Sequence, residues 1–169
     1  AYLKMLRSYA WRQGITDDAA CNTAANHAYR LLRRFTTSDV YAWIGESNTV
    51  YRELPFVYAR DGHIVHGIID CLFRRPDGRW IIVDYKTSSV RRVRQDNDAA
   101  ENADRIAAHA RRYALQLGIY ADATREQTGG APPLTCIHYI RYTHTVEIPA
   151  TAWQATLDRS LPQRVFAVI

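Results

Sequence analysis

The chain has 169 residues, enough for one domain with its own core, and 47% apolar against 23% charged residues is the composition of an ordinary soluble protein. No apolar run is long enough to span a membrane and no secretory leader is recognisable, so a membrane role is not expected. Three cysteines, Cys21, Cys71 and Cys136, are far apart and form no C-x-x-C pair, which points to a reducing, cytoplasmic compartment and against a zinc or iron–sulfur site built by this chain.

Thr16-Asp17-Asp18 opens a helix expected to run to about Arg34, with Thr16 or Asp17 as its cap. Ala24, His27, Ala28, Leu31, Leu32 and Phe35 recur on it at helical spacing, which puts His27 on or beside the buried face. A short helix follows Ser38-Asp39. From about Thr49 to Ser88 the chain reads as a three-stranded meander, rich in β-branched residues and punctuated by Asp61-Gly62 and Pro76-Asp77-Gly78. Residues 91–101 are polar and charged and are expected to be a loop, and a long helix is expected from about Ala99 to Thr124, ended by Gly129-Gly130-Ala131-Pro132-Pro133. A fourth strand over Leu134–Tyr142, a short fifth over Thr145–Ile148 and a helix from Ala152 to about Leu161 complete the chain. A crossover helix after the meander allows the fourth strand to join in parallel. The expected fold is α/β: a mixed sheet, an antiparallel meander plus a parallel strand, flanked by helices.

The meander buries acids. If Pro76-Asp77-Gly78 is the loop, Arg75 faces Arg79 and Asp70 faces Asp84; pairing Arg60 with His63 puts Glu53 opposite Asp70. Asp84 and Lys86 share a face by alternation, while Tyr85 points the other way, into the core. Like charges directly opposite destabilise a sheet, and a hard divalent cation such as Mg²⁺ or Mn²⁺ is the simplest way to offset them. Pro55 marks the Glu53 strand as an edge, or as bulged. The net charge is +5, and Arg74, Arg75, Arg79, Lys86, Arg91, Arg92 and Arg94 crowd around the acids. An acidic spot in a basic surround suits a phosphate-rich substrate.

Four segments in order, Glu53-Leu54-Pro55-Phe56, Gly67-Ile68-Ile69-Asp70, Val83-Asp84-Tyr85-Lys86-Thr87 and Gln116-Leu117-Gly118-Ile119-Tyr120, resemble the motifs of the PD-(D/E)xK nucleases, in particular the RecB/AddA-type nuclease domain found at the C-terminal end of helicase–nucleases. The resemblance covers about Asn22 to Tyr142. It implies a restriction-endonuclease-like fold. It also implies that Asp70, Asp84 and Lys86 are catalytic and that His27, Asp70, Asp84 and the Tyr85 carbonyl hold the metal. Glu53, Gln116 and Tyr120 would support them, with Arg91, Arg92 and Arg94 on the nucleic acid. The residues just before His27 depart from the family's usual pattern.

The implied protein is a Mg²⁺-dependent DNA nuclease, Mn²⁺ substituting, without an iron–sulfur cluster. It would act as an exonuclease on single-stranded DNA or duplex ends, in recombination and double-strand-break repair, beside a helicase motor. The chain is then one nuclease domain of a larger helicase–nuclease, since it contains no phosphate-binding ATPase loop. Standalone nucleases of the CRISPR adaptation type commonly carry a cysteine-bound cluster that this chain lacks. The competing class is a non-catalytic DNA-binding or scaffold module on the same fold; joint retention of Asp70, Asp84 and Lys86 argues against it.

Overall fold

The computed structural model describes residues 2–60, 62–91, 93 and 98–160. The chain opens with helix α1 (Tyr2–Arg12), α2 (Asp18–Thr36) and α3 (Asp39–Gly45). The Asp17 carboxylate accepts the Ala20 N–H and the Ser38 hydroxyl accepts the Tyr41 N–H, so both expected helix starts are capped by a side chain. Helix α1 was not expected: no capping residue announces it and it buries none of its residues.

Strands β1 (Thr49–Arg60), β2 (His63–Arg74) and β3 (Trp80–Lys86) form the meander; β4 (Leu134–Tyr139) and β5 (His144–Glu147) extend it in the order β1-β2-β3-β4-β5. The β3–β4 pair is parallel and the rest antiparallel, as expected of a mixed sheet. Arg60 pairs with His63 and Arg75 N–H donates to Arg79 O, so both turn registers stand. β1, which carries Pro55, is an edge strand. The fourth strand ends early: residues 140–142 leave the ladder as a 3-10 turn.

The expected long helix is two helices, α4 (Ala99–Ala110) and α5 (Ala114–Thr128), joined by a 3-10 turn at Arg111–Tyr113. The tighter turn, with about three residues per turn instead of 3.6, changes which side faces the sheet. Helix α5 is buried nearly all round, and α6 (Ala150–Ser160) closes over it through Trp153 and Leu157. Two cores result. One, with α4, α5 and α6, takes Ile69, Leu72 and Ile82 from the sheet; the other, with α3 and Phe35 of α2, takes Cys71, Phe73, Ile81 and Val83.

Candidate active site

The make-up of the two cores exposes a local reversal in the meander. In a regular strand Ile69, Cys71 and Phe73 share a face, yet Ile69 belongs to the α5 core and Cys71 and Phe73 to the other. β1 does the same: Val50 packs on the α3 side, Leu54 and Phe56 on the α5 side. The register is unchanged across the break, with Arg52 opposite Cys71 and Leu54 opposite Ile69. Each strand therefore reverses its alternation at the same level, at Glu53 and at Asp70, and Glu53 has a left-handed backbone with φ 50°.

Asp70 is re-aimed by this reversal. The β2–β3 ladder ends at Cys71–Val83, and beyond it the Asp70 carboxylate, not the β2 backbone, takes the Tyr85 N–H at 2.9 Å. Asp84 follows Val83 just beyond the end of that ladder, near enough to Asp70 for the Asp70 charge to act on its carboxyl. Asp84 is 2% exposed. Gln116 Nε2 donates to its Oδ1 at 3.0 Å and to the Tyr120 hydroxyl oxygen at 2.7 Å. Lys86 Nζ lies 2.5 Å from its Oδ2, while that oxygen, fully buried, receives no well-directed hydrogen bond.

Burial, with a smaller push from the Asp70 charge, holds the Asp84 carboxyl above the ordinary carboxylate range against the pull of Lys86 and Gln116. The Asp84–Lys86 attraction thus does not fully offset the loss of hydration. A dry carboxylate whose charge is disfavoured, beside a second carboxylate, fits a hard divalent ion. Among the described residues, no three His, Cys, Asp or Glu side chains converge as a ready cage. Two carboxylates completed by a backbone carbonyl and substrate oxygens match the way Mg²⁺ is commonly held.

Residues 1–161 match the PD-(D/E)XK nuclease superfamily. The chain belongs to this superfamily.

Its relatives are of the RecB/AddA type anticipated from the motifs. The chain is 37% identical over 98 residues to an ATP-dependent helicase/nuclease polypeptide of Staphylococcus saprophyticus, a match covering 51% of this chain and 8% of that protein. With the ATP-dependent helicase/nuclease polypeptide of Oceanobacillus iheyensis it shares 26% over 134 residues, 71% of this chain and 10% of the other. It therefore spans a tenth or less of these relatives' length. A solved Eubacterium rectale structure, named as a candidate exonuclease, aligns with TM-score 0.52 at 11% identity, covering 96% of this chain and 64% of that one. At that identity the likeness shows the fold alone. PD-(D/E)XK nucleases generally use divalent metal ions.

Within this nuclease fold the site residues separate. Asp70, Asp84, Lys86, Gln116 and Tyr120 come together, and Tyr85 points away as expected, packing edge-on to Phe35. Glu53 stands level with Asp70 but is exposed. His27 is half-buried on α2 and makes no hydrogen bond or ion pair with a described residue. Phe35, further along α2, packs on the sheet face opposite α5. Arg91 is exposed; Arg92 and Arg94 lie outside the described residues. The sequence offers Tyr113 as an aromatic that could stack on a single strand or pack in the core; its contact with Lys86, and the His109 and Tyr139 behind it, were not anticipated. Their spacing is that of ordinary core aromatics.

Proposed function

We propose that this chain is a Mg²⁺-dependent deoxyribonuclease domain, with Mn²⁺ able to substitute. It hydrolyses phosphodiester bonds as an exonuclease on single-stranded DNA or duplex ends. It works with a helicase motor in recombination and double-strand-break repair, in the cytoplasm. The observation that carries the reading is Asp84, a dry carboxylate whose charge burial disfavours despite the Lys86 ammonium beside it, set near Asp70. Superfamily membership and the helicase/nuclease names of the relatives support it.

Asp70 and Asp84 would hold the ion, with the Tyr85 carbonyl and His27 as further ligands. When bound it supplies positive charge at the scissile phosphate and acidifies water. Asp70 is aimed by its bond from the Tyr85 N–H, and Asp84 by Gln116, which Tyr120 fixes in turn. Lys86 presents N–H donors toward the phosphoryl oxygens, where negative charge grows as water attacks phosphorus and the sugar oxygen departs. Arg91, Arg92 and Arg94 hold backbone phosphates, which gives affinity with little sequence reading.

Cleavage of labelled single-stranded DNA in Mg²⁺, Mn²⁺ or EDTA, with calorimetric Mn²⁺ titration of variants, tests this. Asp84→Ala is expected to lose metal binding and cleavage together. Lys86→Ala keeps metal binding and loses most turnover, and His27→Ala weakens both without lowering the melting temperature. Undiminished cleavage in EDTA overturns the metal mechanism. DNA binding without any cleavage, in wild type and variants alike, marks a scaffold module instead.

A further inference from the structure

A lysine ammonium on four methylenes is mobile, and one carboxylate contact does not fix its direction. Here the Lys86 ammonium has a second neighbour, the ring of Tyr113. Nζ lies 4.2 Å from the centroid of the Tyr113 ring, close enough for the negative ring face to attract the cation. The ammonium therefore has both Asp84 Oδ2 and an aromatic face beside it.

Tyr113 is the last residue of the 3-10 turn Arg111–Tyr113 that joins α4 to α5. Arg111 and Arg112 stay exposed while Tyr113 turns half inward. Behind it stands a buttress. His109 packs at 5.7 Å against Tyr113, and its Nδ1 is hydrogen-bonded at 2.7 Å to the Tyr139 hydroxyl. Tyr139 is fully buried and is the register partner of Lys86 across the parallel β3–β4 pair. The support thus returns to the strand beside the lysine it serves. Burial, followed by the charges of Arg112 and Lys86, lowers the His109 pKa and favours its neutral form, which adds no second cation beside the ammonium.

We infer that Tyr113 is a positioning residue for Lys86, its ring face holding the ammonium beside Asp84 with His109 and Tyr139 as its support. The role Tyr113 plays in turnover rests on the nuclease reading above; the contact itself does not. An aromatic at the mouth of a nuclease site has another obvious use, stacking on a base of the strand. The two uses separate kinetically. Loss of stacking weakens substrate binding and raises KM, whereas loss of lysine positioning lowers kcat.

The test compares Tyr113→Phe and Tyr113→Leu, each in wild type and in Lys86→Ala. Tyr113→Leu is expected to lower kcat roughly three- to thirtyfold, with KM and Mn²⁺ affinity unchanged within about twofold. Tyr113→Phe, which keeps the ring face, restores kcat to within about threefold of wild type. In the Lys86→Ala background Tyr113→Leu adds nothing further. Independently of activity, the Lys86 ε-methylene protons are expected to show a ring-current upfield shift in the metal-free protein, kept in Tyr113→Phe and lost in Tyr113→Leu. A rise in KM with kcat intact overturns positioning in favour of stacking. Equal damage from Phe and Leu, or an undiminished Leu effect without Lys86, also overturns it. If wild type shows the ring-current shift but no metal-dependent cleavage, the nuclease reading fails while the contact stands.

Discussion

His138 on β4 has none of its surface exposed, with Nδ1 hydrogen-bonded to the Thr145 hydroxyl and a buried Nε2 that has no partner. Burial, aided by His144 and opposed by Asp39, lowers its pKa from 6.5 to about 4. The unfolded chain therefore binds the proton more readily between those values. The stability held by neutral His138 is full above about pH 6.5 and is lost progressively as pH falls toward about 4, by up to about 3 kcal/mol. Urea unfolding at pH 7.5 and pH 5 should show wild type losing clearly more stability than His138→Leu. Equal losses would mean that this histidine does not set the acid limb. Asp84 is the opposite case at the same scale. It is a carboxylate held in a dry place where its charge is disfavoured, a cost expected of a group built to take a cation.

At the scale of elements, the matched reversal of β1 and β2 builds the site. One strand with an extra position would slip the register; an extra position in both, at Glu53 and Asp70, keeps the pairing and swings Asp70 toward β3. A left-handed backbone at a residue with a Cβ is a strain of about 1–2 kcal/mol, and Glu53 bears it at φ 50°. Glu53→Gly is accordingly expected to match or exceed wild-type stability, while Glu53→Val, β-branched, falls about 1–2 kcal/mol below it. Thermal melts of the two variants check this. A stable Glu53→Gly protein that still loses cleavage would show that the carboxylate itself takes part in the reaction. A stable and active one would show that Glu53 serves the backbone alone.

For the whole molecule, the sheet divides two cores, and the acids open on the α5 side under a net charge of +5. No helix among the described residues is long and apolar enough to cross a membrane. A basic protein that grips backbone phosphates releases counterions, so binding weakens linearly in log salt, with a slope near −0.7 per phosphate contact for single strands. Replacing Arg91, Arg92 and Arg94 together by Ala should raise KM at fixed salt, leave kcat intact and flatten that slope by roughly 2. Fluorescence anisotropy with single-stranded DNA in EDTA over a salt series measures it. An unchanged slope would move the phosphate track elsewhere on the surface.

The sequence alone determined much of the frame. Turn residues with set conformational preferences fixed both hairpin registers, and counting back from Gly62 and Gly78 places Glu53, Asp70 and Asp84 at one level. Strand alternation put Asp84 and Lys86 on one face and Tyr85 on the other, and an i, i+4 spacing joined Gln116 to Tyr120. These features are local, and local chemistry is written residue by residue. Tertiary structure decided what depends on elements far apart in the chain. It split the expected long helix by a 3-10 turn, which no Gly or Pro announces. It reversed β1 and β2 together, a change that pattern reading misses because the pairings on either side of it keep the same register. It brought Tyr113 and His109 to Lys86 across the sheet-to-helix gap.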